Sequence, residues 1–409
     1  MKSKRDPGNS NTVEQALKLT ADPLFLYKVG KKVGDLGVIG EERNRLILPL
    51  AGMTRTMPQK ASVLLKGSTS SGKTTLAKSS IQLFPREYVL ERAGLSPTAL
   101  AHGEGSLAGR ILFINEYRCG KDAQLLLRLA QSDGDVKHEY TTVRGSRRST
   151  ETAERSGMPV VITTTTESKV YADDETRFLS VWADESPEQN LAIVVAKASG
   201  PGIIDYRDLP AWRMAMSLLA YKKGDFENPP AWLRYVAGQL PLDKVRVRRD
   251  FDRFLSFCNA IALCRGDWRP DRPVNISFPD YCVAYRILEP VLASGIRGLR
   301  TQEYTLAKAV LKLNRRLQRA ATLSEVATEL NWNYPVVWKY VKAASKSGVV
   351  EFEPGTREKN VKRIIAREDD SGRFLPSPRA VLENNAAIGQ AIKFVDPLSG
   401  AWQTIKRLG

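Results

Sequence analysis

The chain has 409 residues, which is too long for one ordinary hydrophobic core and predicts about two or three packed units. With 42% hydrophobic and 26% charged residues, the composition excludes a chain that is disordered as a whole. The 62 lysines and arginines outnumber the 45 aspartates and glutamates, and the resulting net charge of +17 indicates a polyanionic partner, with nucleic acid the first candidate.

The positive charge is concentrated toward the end of the chain. Residues 1–240 hold 33 basic and 27 acidic side chains, a net charge of +6, whereas residues 241–409 hold 29 and 18, a net charge of +11. No run approaches the ~18 to 20 consecutive apolar residues of a membrane span, and residues 1–5 are not followed by the apolar core of a signal peptide. We therefore expect a soluble, cytoplasmic protein without a membrane partner.

The four cysteines predict neither disulfides nor a metal centre. Cys119, Cys258, Cys264 and Cys282 form no C-x-x-C pair, and the chain has only two histidines to assist them. We expect reduced thiols, as in a cytosolic protein, and no zinc site.

The N-terminal region, residues 1–56, is predicted to be helical. After ten polar residues, Asn11–Glu14 is typical of a capping box that opens a short helix, and Pro23 ends it. From Leu24 to Thr54 the apolar residues recur at helical spacing on both sides of a break at Gly37–Gly40.

Between Ala61 and Trp182 the pattern changes to short, β-rich apolar runs that alternate with helical segments. The four runs are Val63–Leu65, Ile111–Ile114, Val160–Ile162 and Phe178–Val181. Continuous apolar runs separated by helices are typical of a parallel sheet covered on both faces. We therefore predict an α/β core over residues 57–200.

A glycine-rich motif joins the first run to a helix over Lys73–Leu83. The motif consists of Gly67, Ser68, Thr69, Ser70, Ser71, Gly72, Lys73 and Thr74. It satisfies the P-loop pattern, in which backbone N–H groups surround phosphate oxygens, Lys73 reaches the β- and γ-phosphates of ATP, and Thr74 coordinates Mg²⁺. Its place between a strand and a helix favours nucleotide binding, with Thr75 included in the site, over a glycine-rich turn with a stray lysine.

Two polar residues end the second run. Glu116 is the natural group to orient an attacking water, and Asn115 stands where a metal-associated aspartate is usual. A magnesium contact at Asn115 would be neutral or pass through water, leaving Thr74 and the phosphates as the main ligands. The alternative is a strand end with two solvated polar side chains.

Further candidates follow the third run and precede the fourth. Thr163–Thr166 places hydroxyls at a strand end, where Thr164 or Thr165 could sense the γ-phosphate or water, although β-propensity alone also favours threonine there. Arg177 is a candidate arginine finger that reaches a neighbour's nucleotide, since a planar, permanently charged donor suits a developing phosphoryl charge. Pairing with a nearby aspartate is the alternative.

A basic hairpin is predicted ahead of the third run. The segment Tyr140–Ser149 is typical of a β-hairpin whose tip carries Arg144, Arg147 and Arg148 and no acidic residue. Inside a ring of subunits such a tip would contact a phosphate backbone. A solvated basic loop is the alternative.

The remainder is mostly helical. Residues 201–315 form a helical, basic region, and residues 316–368 have the pattern of a winged helix-turn-helix, with helices over Leu323–Leu330 and Pro335–Ser347 and a hairpin wing. A C-terminal tail is expected over 369–409. The basic residues of the winged helix that we assign to DNA are Lys339, Lys342, Lys346, Lys359, Lys362 and Arg363. Docking of a protein is the alternative role for this domain.

The order of these motifs resembles the MCM-like AAA+ helicases of mobile genetic elements, a family whose chains are often described as primases. The resemblance covers roughly Asp22–Ile193. Leu36–Glu42 is similar to the family's lead-in, Gly103–Leu107 to the approach to its Walker B strand, and Asp184–Gln189 to the segment after its arginine finger.

The resemblance implies a ring, expected to be a hexamer, that hydrolyses ATP between subunits and moves along single-stranded DNA with the hairpin lining the channel. The residues to which it gives roles in hydrolysis are Lys73, Thr74, Glu116, Thr165 and Arg177. It also implies an insertion over Ala93–Ala108. Relatives differ in the residue type found at the position of Asn115, while they keep the glutamate that follows it. The chain shows no primase module, so priming would need a separate primase or initiator as partner.

Two rival functions are compatible with the same sequence. One is an ATP-switched replication initiator or transposition regulator that assembles on DNA without unwinding it. The other is a DNA-binding protein whose nucleotide site is only structural.

Overall fold

The computed structural model describes residues 7–407 with short gaps. The gaps are 97–99, 102, 118–119, 133, 145–146, 168–171, 201, 203, 223, 225–227, 266–272, 297–300, 347–348, 354–361 and 367–372. Lys359, one of the residues assigned to DNA, lies outside the described residues. Within the described ranges, no helix is both long and apolar enough to cross a membrane.

Three helices precede the sheet: α1 (Pro7–Ala21), α2 (Phe25–Asp35) and α3 (Asn44–Met53). The prediction that the first helix begins at Asn11 is wrong, because proline is well suited to a first helical turn and α1 begins at Pro7. Every residue of α3 except Arg45 is buried, and α3 contacts both the sheet and the helix that follows the P-loop. The helical lead-in is therefore part of the main core.

The described residues of the first half of the chain form seven strands. They are β1 (Val63–Lys66), β2 (Val89–Arg92), β3 (Ile111–Ile114), β4 (Asp135–Arg144), β5 (Arg147–Ser156), β6 (Val160–Thr165) and β7 (Leu179–Trp182). Five of them form one sheet in the order β2-β3-β6-β1-β7, and every pair is parallel. The four predicted runs are all strands of this sheet. The fifth strand, β2, was missed because it is only partly buried at the sheet edge and lacks a continuous apolar run.

The predicted hairpin is longer than Tyr140–Ser149. Strands β4 and β5 are antiparallel from the pair Asp135 and Ser156 to the pair Arg144 and Arg147, so the ribbon is about 30 Å long. The prediction stopped at residue 140 because the lower part of the ribbon is rich in charged residues rather than in residues of high β-propensity.

Helices surround the sheet and continue beyond it. They are α4 (Lys73–Ile81), α5 (Lys121–Ser132), α6 (Ala172–Glu175), α7 (Pro187–Ala198), α8 (Leu209–Tyr221), α9 (Leu233–Gly238), α10 (Val247–Leu263), α11 (Phe278–Ile296) and α12 (Thr301–Leu317). Helices α10 and α11 pack against each other and against α3, so the helical region after the sheet shares one core with the lead-in.

A second, separate hydrophobic cluster lies around α12 and the elements that follow it. These elements are β8 (Ala321–Thr322), α13 (Leu323–Leu330), α14 (Tyr334–Lys346), β9 (Val350–Phe352) and β10 (Arg363–Ala366). The three strands form an antiparallel sheet in the order β8-β10-β9. A capping box between Thr322 and Glu325 begins α13, and Asn331 ends it in the left-handed region with φ of 52°.

The segment expected to be a C-terminal tail is folded, which corrects that expectation. It contains α15 (Pro378–Glu383) and a hairpin of β11 (Ala391–Val395) and β12 (Trp402–Lys406). Phe374 and Leu375 are buried in the main core, and the carboxylate of Glu289 on α11 accepts hydrogen bonds from both backbone N–H groups, at 3.2 and 2.8 Å. The acceptor lies 85 residues away in sequence, so local pattern could not indicate this contact.

Candidate functional site

The motif 67–74 folds as a tight loop between β1 and α4. Gly72, with φ of 83°, stands directly before α4 in a backbone region that favours glycine. The ammonium of Lys73 donates to the carbonyl oxygens of Gly67 and Ser68, at 3.0 and 2.6 Å, and to Oγ of Ser71 at 3.2 Å. The lysine therefore lies within the loop, beside the N–H groups of the helix start that have no intrahelical partner and attract anions.

A close approach explains the first glycine of the motif. A Cβ on Gly67 would lie 2.7 Å from Oγ of Ser71 and 3.2 Å from both Cβ of Ala183 and Oε1 of Glu185. The carboxylate of Glu185 also accepts a hydrogen bond from the backbone N–H of Ser68. Sequence analysis gave Glu185 no role. Its position just after β7 was the available signal, because the carboxyl ends of parallel strands meet at one edge of a sheet.

Thr74, Asn115 and Glu116 come together at this edge. Oγ1 of Thr74 donates to Oδ1 of Asn115 at 3.1 Å. Burial lowers the pKa of Lys73, and the charges of Glu185 and Glu116 oppose that shift, so both carboxylates lie near the ammonium. Hydroxyl and amide oxygens are ligands that Mg²⁺ accepts, so Thr74 and Asn115 fit a magnesium ion next to bound phosphates.

The end of β6 contacts the same place. Thr164 donates from Oγ1 to the backbone oxygen of Asn115, whereas the Oγ1 of Thr165 accepts from the backbone N–H of Glu167 at 3.1 Å. Thr165 pairs in register with Lys66, the last residue of β1, so both threonines lie at the edge of the sheet that carries the P-loop.

Arg177 lies at the opposite end of the strands, where their amino ends meet. It precedes β7, whose first residue pairs with Val63, so Arg177 is level with Ala61. Gly67, where the P-loop begins, is six residues further along β1, roughly 20 Å away. Arg177 donates to Oγ of Ser132, and a neighbouring aspartate, Asp174, accepts from Arg128. The structure therefore does not bring Arg177 to the nucleotide site of its own chain.

Arg177 lines a cavity of about 250 Å³ together with other charged side chains, one of which is Asp252. Arg249 and Arg253 from α10 and Lys60 line the cavity, and burial lowers the pKa of Lys60. Arg249 donates to Oγ1 of Thr176 at 2.5 Å, which holds it beside Arg177. The sequence signal for these cations is the basic stretch Lys244–Arg249, which runs into the start of α10.

A partly buried carboxylate, Glu41, links the helical lead-in to the end of the sheet that carries the P-loop. Glu41 accepts hydrogen bonds from the backbone N–H of Asp184 at 2.7 Å and from Nδ2 of Asn44 at 2.5 Å. Burial, the largest cause, raises the pKa of Glu41 to about 7, and these two hydrogen bonds oppose it. Asp184 precedes Glu185, so Glu41 positions the segment that contacts Ser68.

We expect Glu41→Gln to change how stability depends on pH. The folded-state pKa lies above the ordinary value of 4.5, so the folded chain binds more protons than the unfolded chain between pH 4.5 and 7. The free energy of unfolding of the wild type should therefore fall by about 1–3 kcal/mol as pH rises through this window, relative to the variant. Urea unfolding at pH 5, 6, 7 and 8 measures the difference; parallel curves for the two proteins would contradict the assignment.

The base of the hairpin is anchored to the segment predicted as an insertion. The guanidinium of Arg155, on β5, donates to the carbonyl oxygens of Leu100, Glu104 and Gly105, at 3.3, 3.0 and 2.8 Å. At the other end of the ribbon the backbone register places Arg144, Arg147 and Arg148 at the tip, and their side chains lie outside what the structure describes.

A basic surface surrounds Trp338 on α14. Lys339, Lys342 and Lys346 are exposed on this helix at spacings of three and four residues, which places them on one face. Nζ of Lys342 lies 4.8 Å, and Nζ of Lys362 3.9 Å, from the ring centroid of Trp338. The neighbouring Arg363 is partly buried at the start of β10.

The same domain contacts the core near the nucleotide edge. Nδ2 of Asn333, in the turn before α14, donates to Oε1 of Glu188 in the first turn of α7, at 3.0 Å.

Comparison with known proteins agrees with the geometry of the loop and sheet. Residues 31–210 match the family model described as the MTBMA_p00010 P-loop domain. No curated protein gives a significant sequence match to the chain. This part of the chain is a P-loop α/β domain with a parallel sheet.

Solved structures give weaker likenesses. A full-length MCM homolog from Methanopyrus kandleri is 12% identical with a TM-score of 0.48, covering 73% of this chain and 64% of that protein, so the match spans less than two thirds of its length. NtrX from Brucella abortus in complex with ADP is 15% identical with a TM-score of 0.26, covering 77% and 70%. The Aeropyrum pernix Orc1 protein in complex with DNA is 13% identical with a TM-score of 0.25, covering 86% and 95%. At these scores the likenesses carry no functional argument.

Proposed function

We propose that this chain is an ATP-dependent, ring-forming DNA helicase of the MCM-like AAA+ type, acting in the replication of a mobile genetic element. The observation that carries the proposal is the separation of Arg177 from the P-loop. The two half-sites lie at opposite edges of one parallel sheet, so only a neighbouring subunit can supply Arg177 to a nucleotide bound at Lys73. Head-to-tail repetition of such a contact closes into a ring when the rotation permits it.

Each ATP would be held by the P-loop of one subunit. Lys73 exchanges its contacts with Gly67 and Ser68 for the β- and γ-phosphate oxygens, and the backbone N–H groups at the start of α4 bind the remaining charge. Thr74 and Asn115 would hold Mg²⁺, which when bound neutralises phosphate charge. Glu116 accepts a proton from the attacking water and orients it toward the γ-phosphorus.

The neighbouring subunit completes the pocket with positive charge. Arg177 stabilises the charge that develops on the transferred phosphoryl group, and Arg249, held beside it through Thr176, adds a second guanidinium. Thr164 or Thr165, at the end of β6, reports the state of the γ-phosphate to the hairpin that precedes this strand. The hydroxyl of Thr164 donates a hydrogen bond to the backbone oxygen of Asn115.

DNA would contact two surfaces. The arginines at the tip of the ribbon bind the backbone of the translocating strand inside the ring. Residues 316–368 act as a winged helix, with Lys339, Lys342, Lys362 and the partly exposed Trp338 facing duplex DNA. A separate primase or initiator would supply priming and loading.

Unwinding of a forked DNA duplex tests the proposal. We expect ATP-dependent displacement of the labelled strand by the wild type and at least a roughly 100-fold lower rate for Lys73→Ala, because the lysine binds the reacting phosphates. Lys78→Ala is the matched control, since Lys78 is an exposed residue of the same helix, paired with Glu91. ATP turnover without strand displacement would favour an ATP-switched initiator or regulator, and no turnover even with DNA would favour a structural nucleotide site.

A further inference from the structure

Helix α7 carries an apolar surface outside the core. Of its twelve residues, all of which the structure describes, Gln189 alone is buried. Leu191, Val194 and Val195 are 64%, 61% and 53% exposed. A cluster of exposed branched apolar side chains on a short helix marks an interaction surface.

Helix α7 starts beside the P-loop. Ser186 caps α7 by accepting from the backbone N–H of Gln189, and the preceding residue, Glu185, contacts Ser68 of the P-loop. Glu188, in the first turn, is exposed and adds negative charge. The surface of α7 is thus apolar with acidic residues at its start.

A second exposed apolar surface lies near Arg177. Leu242 and Val245, in the turn before α10, are 70% and 78% exposed. Exposed cations lie around them, at Lys244, Arg248 and Arg249. Arg249 is one helical turn from Val245 and is bonded to Thr176, so this surface adjoins Arg177.

We propose that α7 of one subunit packs against the turn 241–248 of the next, as the apolar part of a head-to-tail contact between copies of this chain. The inference rests on the proposed composite nucleotide pocket, because one patch adjoins the P-loop and the other adjoins Arg177. The charges of the two surfaces favour the contact: Glu185 and Glu188 make one negative, and the other stays net positive because Arg248 and Arg249 add to Lys244, which pairs with Asp243. Two different patches meet, so the contact is heterologous.

Cysteine cross-linking tests which patches meet. The background carries Cys119→Ser, and the other three cysteines are buried. Val194→Cys and Val245→Cys are introduced singly and together, and each protein is treated with a short bis-maleimide in the presence of an ATP analogue. We expect a ladder of multimers from the double variant, a dimer from a mixture of the two single variants, and no cross-link from either alone.

Each other pattern overturns the inference. A dimer from Val194→Cys alone would mean that α7 meets a second α7, and no ladder from an oligomer that forms with ATP would mean that the subunits meet through other surfaces. Cross-linking only within one chain would mean that the segment 241–248 covers its own α7.

A second measurement does not depend on cysteine reactivity. Leu191→Ser combined with Val194→Ser removes exposed side chains and should leave the monomer folded, while weakening subunit association about 10- to 100-fold in sedimentation. Leu17→Ser, which changes an exposed leucine of α1, is the control and should not alter association.

ATP turnover in the same samples separates the two proposals. If Arg177 and Lys73 cooperate between subunits but the α7 variant associates normally, this contact is wrong and the proposed function stands. If the double-cysteine variant forms the ladder but the wild type does not hydrolyse ATP, the proposed function is wrong and the contact stands.

Discussion

Replacing Arg177 with alanine is expected to lower ATP turnover by about 10³- to 10⁵-fold, with little change in the affinity for nucleotide. The side chain lies at the end of the strands opposite the P-loop of its own chain. Under the proposed function it would act only on a neighbour's nucleotide and only when charge develops there. Steady-state hydrolysis and equilibrium binding of a fluorescent ATP analogue measure the two effects. Arg207→Ala is the control, because Arg207 is a 91% exposed arginine paired with Asp205 and an exposed pair contributes little.

A mixture of the Arg177→Ala and Lys73→Ala proteins tests whether two subunits share one nucleotide pocket. Arg177→Ala keeps an intact P-loop, and Lys73→Ala keeps an intact finger. In an equimolar mixture about one quarter of head-to-tail contacts combine the intact halves, so about one quarter of wild-type turnover should return. Turnover that stays at the level of the two inactive proteins, in a mixture shown to co-assemble, would contradict a pocket shared between subunits.

Glu116→Gln is expected to lower turnover by about 10²- to 10⁴-fold while ATP binding is retained. The amide keeps the shape of the side chain and loses the ability to accept a proton. A rapid-quench assay under single-turnover conditions isolates the chemical step.

The control for Glu116 is an acidic residue away from the nucleotide edge. Glu87→Gln changes an exposed glutamate before β2 and should leave turnover within about twofold of the wild type. If Glu116→Gln retains full single-turnover rates, the water-orienting group is another residue, and Glu185, which contacts the P-loop at Ser68, becomes the candidate.

The elements whose signals are local were predictable from sequence. The P-loop, the helix that starts at Lys73 and four of the five parallel strands follow from continuous apolar runs and a short motif, because burial on both faces selects the residues of those strands. Strand β2 lacked this signal because it is only partly buried at the sheet edge. The hydrogen bond from Thr74 to Asn115 joins two of the predicted site residues, and their role in binding magnesium stays a prediction.

The parts that were not predicted depend on contacts between distant segments. Glu185 reaches Ser68 across 117 residues, and Arg249 reaches Thr176 across 73. The fold of residues 374–407 depends on burial against α11, which no periodicity within that segment indicates. Such contacts arise from packing of the whole chain, and a single sequence gives charge and residue type at each end without the pairing.

Under the proposed function, the anchored ribbon of β4 and β5 would act as a lever. Arg155 binds three carbonyl oxygens of the segment 100–105, so the base of the ribbon and that segment turn together, while the tip lies about 30 Å away. A rotation of about 10° at the base moves the tip by about 5 Å, more than the roughly 3.4 Å rise of one nucleotide along a strand of DNA. In the proposed helicase, a small change in angle at the base of the ribbon would thus be enough to advance bound DNA by one step.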